Sequence, residues 1–177
     1  GENWDADTKF WIQLGSDIDG EAAGDYSGHS VSLDSDGDRV AIGASGNDAG
    51  HVRIYEWNGT AWAILGLDIN GEAVGDLSGY SVSLNSDGDR VAIGATENDG
   101  NGTSAGHVRI YEYSSDSWSQ LGSDIDGEAA YDYSGWSVSL NSDGDRVAIG
   151  AYLNDGTGTS SAGHVRIYER DEGNTTV

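Results

Sequence analysis

The chain has 177 residues, long enough for one domain with a real core, and its 8 Lys and Arg against 31 Asp and Glu leave a formal charge of −23. A field of that sign repels nucleic acid and anionic membranes, and leaves divalent cations, cationic partners or plain solubility in salty water as its uses. Without Cys there is no disulfide, thiol nucleophile or cysteine zinc site, and no run nears the ~18 apolar residues of a membrane span. The first residue is Gly rather than Met, so the chain is expected to be an excised piece or a processed product.

Taken in order, the first strand-like segment is 10–14, which stands before any complete repeat. Its counterparts, 62–65 and 118–121, each follow an HVRIYE segment. Next comes the acidic loop DIDGEAAGDYSG (17–28), echoed as DINGEAVGDLSG (68–79) and DIDGEAAYDYSG (124–135). One stretch is then written three times: SGHSVSLDSDGDRVAIGA at 27–44, SGYSVSLNSDGDRVAIGA at 78–95 and SGWSVSLNSDGDRVAIGA at 134–151. Among its positions, only His29/Tyr80/Trp136 and Asp34/Asn85/Asn141 vary, and self-similarity at a fixed period marks a repeat architecture.

Within that stretch, 30–33 alternates Ser with Val and Leu as a short strand does. The Asp-Gly pair in DSDGD or NSDGD signals a hairpin turn into RVAIGA, whose small residues suit close packing. A loop of variable length (45–50, 96–106, 152–163) separates RVAIGA from HVRIYE at 51–56, 107–112 and 164–169. Length variation inside constant flanks marks a surface loop. With 28 Gly, no Pro and no helical period, the reading is all-β, four short strands per repeat.

Three units of four strands suit a β-trefoil, or a β-propeller that needs further blades to close. Ser-Gly-Tyr-Ser-Val (78–82), Ala-Ile-Gly-Ala (41–44, 92–95, 148–151) and Gly-His-Val-Arg-Ile-Tyr resemble the FG-GAP repeat of integrin-α-type propellers and their bacterial and algal surface relatives. The resemblance implies an extracellular or cell-surface propeller module with SVSL innermost and the Trp-led strand outermost. Residues 1–27 would be an outer closure strand and loop, 28–78 blade one, 79–134 blade two and 135–177 a blade three with three strands of its own. The expected assembly is a homodimer forming a six-bladed ring, each N-terminal strand serving the partner's third blade.

Two acidic loops suggest cations. FG-GAP repeats often carry Ca²⁺ between their first two strands, but the matching loop here is shorter and runs into Arg39, Arg90 or Arg146, as a tight turn would. The other loop offers Asp17, Asp19, Glu21 and Asp25, then Asp68, Asn70, Glu72 and Asp76, then Asp124, Asp126, Glu128 and Asp132. Its opening is that of an EF-hand loop, while the twelfth position is Gly rather than a bidentate Glu. A partial Ca²⁺ site and a set of Asx-type turns both fit it.

Strand alternation brings this loop and the variable loop to one rim, with Tyr26, Tyr131, Tyr133, Asp48, Asp99 and Asp155 as candidate ligand-binding residues for a glycan or protein. His51, His107 and His164 would be spread around a ring rather than gathered on one metal, and His29, Tyr80 and Trp136 would border the central channel. No nucleophile, base and orienting group stand together, and acidic pairs recur in three equal copies, so no enzyme activity and no required cofactor are expected. The expected function is scaffolding or recognition, without nucleic acid and without membrane insertion. A monomeric β-trefoil lectin with three sugar pockets is the alternative.

Overall fold

The computed structural model describes residues 11–46, 48–156, 158 and 160–171; among these there is no helix. Blade one is an antiparallel meander of β1 (Ser27–Leu33), β2 (Arg39–Ala44), β3 (His51–Trp57) and β4 (Trp62–Ile64), with β5 (Ile69–Asn70) also on β3. Blade two repeats it as β6 (Ser78–Leu84), β7 (Arg90–Ala95), β8 (His107–Ser114), β9 (Ser117–Gln120) and β10 (Ile125–Asp126). Blade three has β11 (Ser137–Leu140), β12 (Arg146–Ala151) and β13 (His164–Glu169).

The short strands β5 and β10 fall inside the stretch read as a loop. They form because its single Ile is apolar: Ile69 pairs opposite Val52 and Ile125 opposite Val108, and both join the core. Of the expected N-terminal strand, Phe10 lies outside the described residues, and 11–14 are not in a strand. A strand like β4 exists only against an edge like that of β3, and these four residues pair with no strand among the described residues.

Period-2 alternation gives each sheet two apolar faces. In blade one, Ala41 stands opposite Ile54 and Gly43 opposite Val52, while Val31 opposite Ile42 and Leu33 opposite Val40 belong to the other face. The first face of blade one, with Ala41, Val52 and Ile54, packs on the second face of blade two, with Val82, Leu84, Val91 and Ile93. Blades two and three repeat this seam, Ala92, Val108 and Ile110 meeting Val138, Leu140, Val147 and Ile149. Separate meander sheets stacked face to face, with β1, β6 and β11 innermost, make a propeller arrangement.

Small residues set how closely the blades approach. A Cβ on Gly94 would collide with the Gly135 carbonyl, and one on Gly43 with the Gly79 carbonyl, so both seams need glycine there. Beside them, the Ser30 hydroxyl donates to the Gly79 carbonyl at 2.8 Å and the Ser81 hydroxyl to the Gly135 carbonyl at 2.7 Å. Gly150, the equivalent in blade three, has among the described residues only its own blade's Ser137 near that position.

The two ends of the stack are therefore unlike its middle. Val31 and Leu33 are 64% and 58% exposed, whereas the equivalent Val82 and Leu84 are 8% and 6% exposed. At the far end Val165 and Ile167 are 67% and 72% exposed, against 0% and 1% for Val52 and Ile54. The N-terminal segment stands against blade one: Trp62 Nε1 donates to the Leu14 carbonyl at 2.9 Å, as Trp118 Nε1 does to Leu65 at 2.8 Å. Residues 11–15 thus occupy the place of a preceding blade's outer segment. They lie two blades away from β13, whose outer edge is unpaired among the described residues.

Candidate functional site

The HVRIYE strands of blades one and two each place an Arg between two acidic loops. Arg109 donates from Nε to Asp124 Oδ1 at 3.0 Å and from Nη2 to Asp124 Oδ2 at 3.0 Å, and also pairs with Glu72. Arg53 does the same with Asp68, at 3.0 and 3.1 Å, and pairs with Glu21. Glu comes from the loop before the blade and Asp from the loop after it, so each guanidinium ties two successive loops to one strand. Burial works against the Arg109 charge, but hydrogen bonds to Asp124 and Glu72 outweigh it and raise its pKa. In return Arg109 holds the Asp124 carboxyl below its usual value.

His107 lies beside this clamp, buried, its Nδ1 4.0 Å from Glu72 and 3.9 Å from Asp124, too far for hydrogen bonds. Burial, and then the charge of Arg109, push its pKa below the usual histidine value. The sets Glu21, His51, Asp68 and Glu72, His107, Asp124 each bring ligand atoms within 4.8 Å of one another. Their donors do not suit Ca²⁺, which takes six to eight oxygens, because an imidazole and a guanidinium fill part of each set.

The other acidic positions turn elsewhere. Asp25, Asp76 and Asp132 are buried, and accept from the backbone of Ala22, Ala73 and Ala129 at 2.8, 3.3 and 3.0 Å, closing Asx-type turns. Asn98 also donates to Asp76 at 2.9 Å and Asn154 to Asp132 at 2.7 Å. Asn70 and Asp126 lie in β5 and β10, and the Asp126 carbonyl accepts from Arg166 at 2.6 Å. Glu128 stands 3.4 Å from His164 and 3.9 Å from Arg166. Asp17 is exposed and accepts from Gln13 at 2.7 Å; Asp19 is exposed beside it. Carboxylates adjacent in the loop sequence thus diverge, because neighbouring positions serve a strand, a turn and the solvent.

Among the recognition candidates, Tyr26, Tyr131 and Tyr133 all have left-handed backbone, with φ of 53, 67 and 55°. Asp99 and Asp155 accept from the Ser104 and Ser161 amides at 2.8 and 2.9 Å, and so close their own loops. Asp48 accepts from the Gly75 amide through its carbonyl at 2.8 Å. The structure gathers Tyr131 and Asp155 with Glu128, Asp132, Asn154 and His164 around a cleft of about 670 Å³. Tyr26 with Asp48, and Asp99, belong to the other blades. In blade two the corresponding region is covered by the next loop, with the Tyr131 backbone amide donating to the Thr103 carbonyl at 2.8 Å and the Asn101 side-chain amide to the Gly127 carbonyl at 2.8 Å.

A row of rings follows the inner strands: His29 and Tyr80 are 4.7 Å apart, Tyr80 and Trp136 4.7 Å, and Trp136 and Tyr152 4.2 Å, centre to centre. Tyr133 continues it at 6.0 Å from Tyr152. The variable position of the repeat therefore builds one surface across blades. Tyr152 was missed from sequence; its signal was an aromatic opening the third variable loop where Ser45 and Thr96 open the others. Trp136 and Tyr152 are exposed, and such faces stack on sugar rings or hold cations.

Among solved structures, the chain is similar to hydrazine synthase of Kuenenia stuttgartiensis, with 11% identity over 79% of this chain and 32% of that one, TM-score 0.47. It is also similar to TolB from Acinetobacter baumannii, with 15% identity over 82% of this chain and 30% of that one, TM-score 0.46. The chain thus spans about a third of the length of either. No curated protein matches it. Residues 124–168 match the FG-GAP repeat family. That span runs from the Arg109 partner Asp124 through β13, and 17–55 and 68–111 reproduce its motifs in the same order. Residues 124–168 thus form a segment similar to an FG-GAP repeat.

Proposed function

We propose that the chain is a non-enzymatic, self-assembling propeller module of the cell surface or extracellular space, two copies of which close head to tail into a six-bladed ring. One observation carries this reading: the two ends of the stack are the two halves of a seam that the molecule builds twice internally. Val165 and Ile167 of one copy take the role of Val52 and Ile54, and Val31 and Leu33 of the other that of Val82 and Leu84. A twofold arrangement makes two identical seams and leaves no open end. Residues 11–14 then add to the free edge of β13 as β4 adds to β3.

The ring would display its aromatic row and rim loops to a glycan or protein ligand, the aromatic faces giving contact area and the acidic loops preference for polar or cationic groups. Sedimentation equilibrium tests the assembly: a mass twice the 18.5 kDa of the chain supports it, and a monomer at micromolar concentration removes it. A glycan array with the Trp136→Ala variant as control tests the face. Ca²⁺ plays no part in this reading, so millimolar CaCl₂ is expected to leave the melting temperature unchanged, whereas a native-state ligand would raise it.

A further inference from the structure

Three Arg clamps are started in this chain, and the described residues complete two. Arg53 and Arg109 each hold a Glu from the loop before their blade and an Asp from the loop after it. Arg166 has the first half: Glu128 lies 3.9 Å from Nη1, and Nη2 donates to the Asp126 carbonyl at 2.6 Å. Among the described residues its Nε is buried without a hydrogen-bond partner, where Arg53 and Arg109 direct Nε to Asp68 and Asp124. A buried, charged N–H left unmatched is costly, so the position calls for an acceptor.

The missing half is at the other end of the molecule. Residues 170–177 hold no DIDGEA loop, whereas one precedes blade one, with Asp17 at the position of Asp68 and Asp124. Asp17 is already oriented: Gln13 donates to its Oδ1 at 2.7 Å, as Gln120 does to Asp124 Oδ1 at 2.6 Å. In Asp124 the same carboxylate also receives Arg109. Residues 18–26 likewise match the loop that covers blade two, and the cleft of about 670 Å³ beside blade three is the corresponding space.

The geometry points to an ion pair across the seam, in which Arg166 takes the partner's Asp17 through Nε and Nη2 while the rest of that loop fills the blade-three cleft. The inference rests on the two-chain ring and names the charge pair that closes it. Without the second copy the third clamp is incomplete; with it, all six clamps of the ring are alike.

Charge exchange between two variants tests it. Asp17→Arg alone puts two guanidinium groups in each seam, and Arg166→Asp alone puts carboxylates together; each is expected to weaken the dimer roughly a hundredfold or more. Mixed in equal amounts they form a heterodimer in which one seam carries the reversed pair and the other the original, so affinity recovers to within about tenfold of the unmodified protein. Asp17→Asn, exposed in the single chain, keeps the test open if Arg166→Asp fails to fold: it weakens the dimer and leaves the melting of the dilute monomer unchanged. A monomeric unmodified protein overturns the ring and this pair together. A dimeric protein whose single variants dimerise unchanged, or whose folded variants stay monomeric on mixing, overturns the pair and leaves the ring standing.

Discussion

Ile167→Asp separates assembly from folding. Ile167 is largely exposed in the single chain, and its counterpart Ile54 is buried inside the first seam. Covering Ile167 to the same degree in a second copy contributes about 1.5–2 kcal/mol per seam, the lower part of the range for fully burying an aliphatic side chain. The ring has two seams, so removing the side chain costs about 3–4 kcal/mol, or roughly 10²- to 10³-fold in Kd. A carboxylate placed against the partner's Val31 and Leu33 adds its own desolvation cost. In the isolated chain the same substitution changes stability by about 1 kcal/mol or less, since it alters an exposed strand position. Sedimentation equilibrium over a concentration series gives the first quantity, and urea melts of dilute monomer give the second. Ile54→Asp is the control and should unfold the chain outright. An Ile167→Asp protein that dimerises with unchanged Kd, or one as destabilised as Ile54→Asp in dilute solution, refutes the reasoning.

Glycine at the seam gives a parallel contrast. Gly94→Ala forces a methyl group into the Gly135 carbonyl and should cost about 2 kcal/mol or more of chain stability, read in a urea melt. Gly150→Ala meets only the Ser137 hydroxyl at 2.5 Å, so the chain should tolerate it while the dimer weakens. For pH, burial and Arg109 depress the His107 pKa, so the unfolded chain binds its proton first. The contribution is complete above about pH 6.5 and is lost as pH falls through the folded-state value. The stability difference attributable to His107, measured against His107→Gln, should therefore shrink between about pH 7 and about pH 5. Asp124 has the same sign in a lower window: its contribution, present above the ordinary carboxylate value, is lost only as pH falls through its depressed one. Finally, each chain carries a charge of −23, and two such chains repel. Raising NaCl from about 0.05 M to about 0.5 M should tighten the dimer in light scattering, because salt screens that long-range term while an enclosed Asp17–Arg166 pair is screened less.

Most of the scaffold was legible in the chain. Alternation in SVSL identified a strand and its two faces, and the Asp-Gly pairs marked the turns between β1 and β2, β6 and β7, and β11 and β12. The variable position His29/Tyr80/Trp136 was readable as one series along the inner strands, and its rings do contact one another. The acidic loops were harder. Asp124, Asp126, Glu128 and Asp132 look like one ligand set along the chain, yet Asp124 serves Arg109, Glu128 faces His164 and Asp132 caps a turn.

The physical reason is the range over which each choice is made. Strand, turn and repeat follow from the steric and apolar preferences of a few neighbouring residues, and three near-identical copies state them three times. The partners of Arg109 are 37 and 15 residues away on opposite sides of its blade, and only the stacking of blades brings them together. The same holds for the termini. Period-2 alternation says that Val31, Leu33, Val165 and Ile167 belong to buried faces. It took the packed blades to reveal that these faces lie at opposite ends of the stack, with residues 11–15 at the end away from β13.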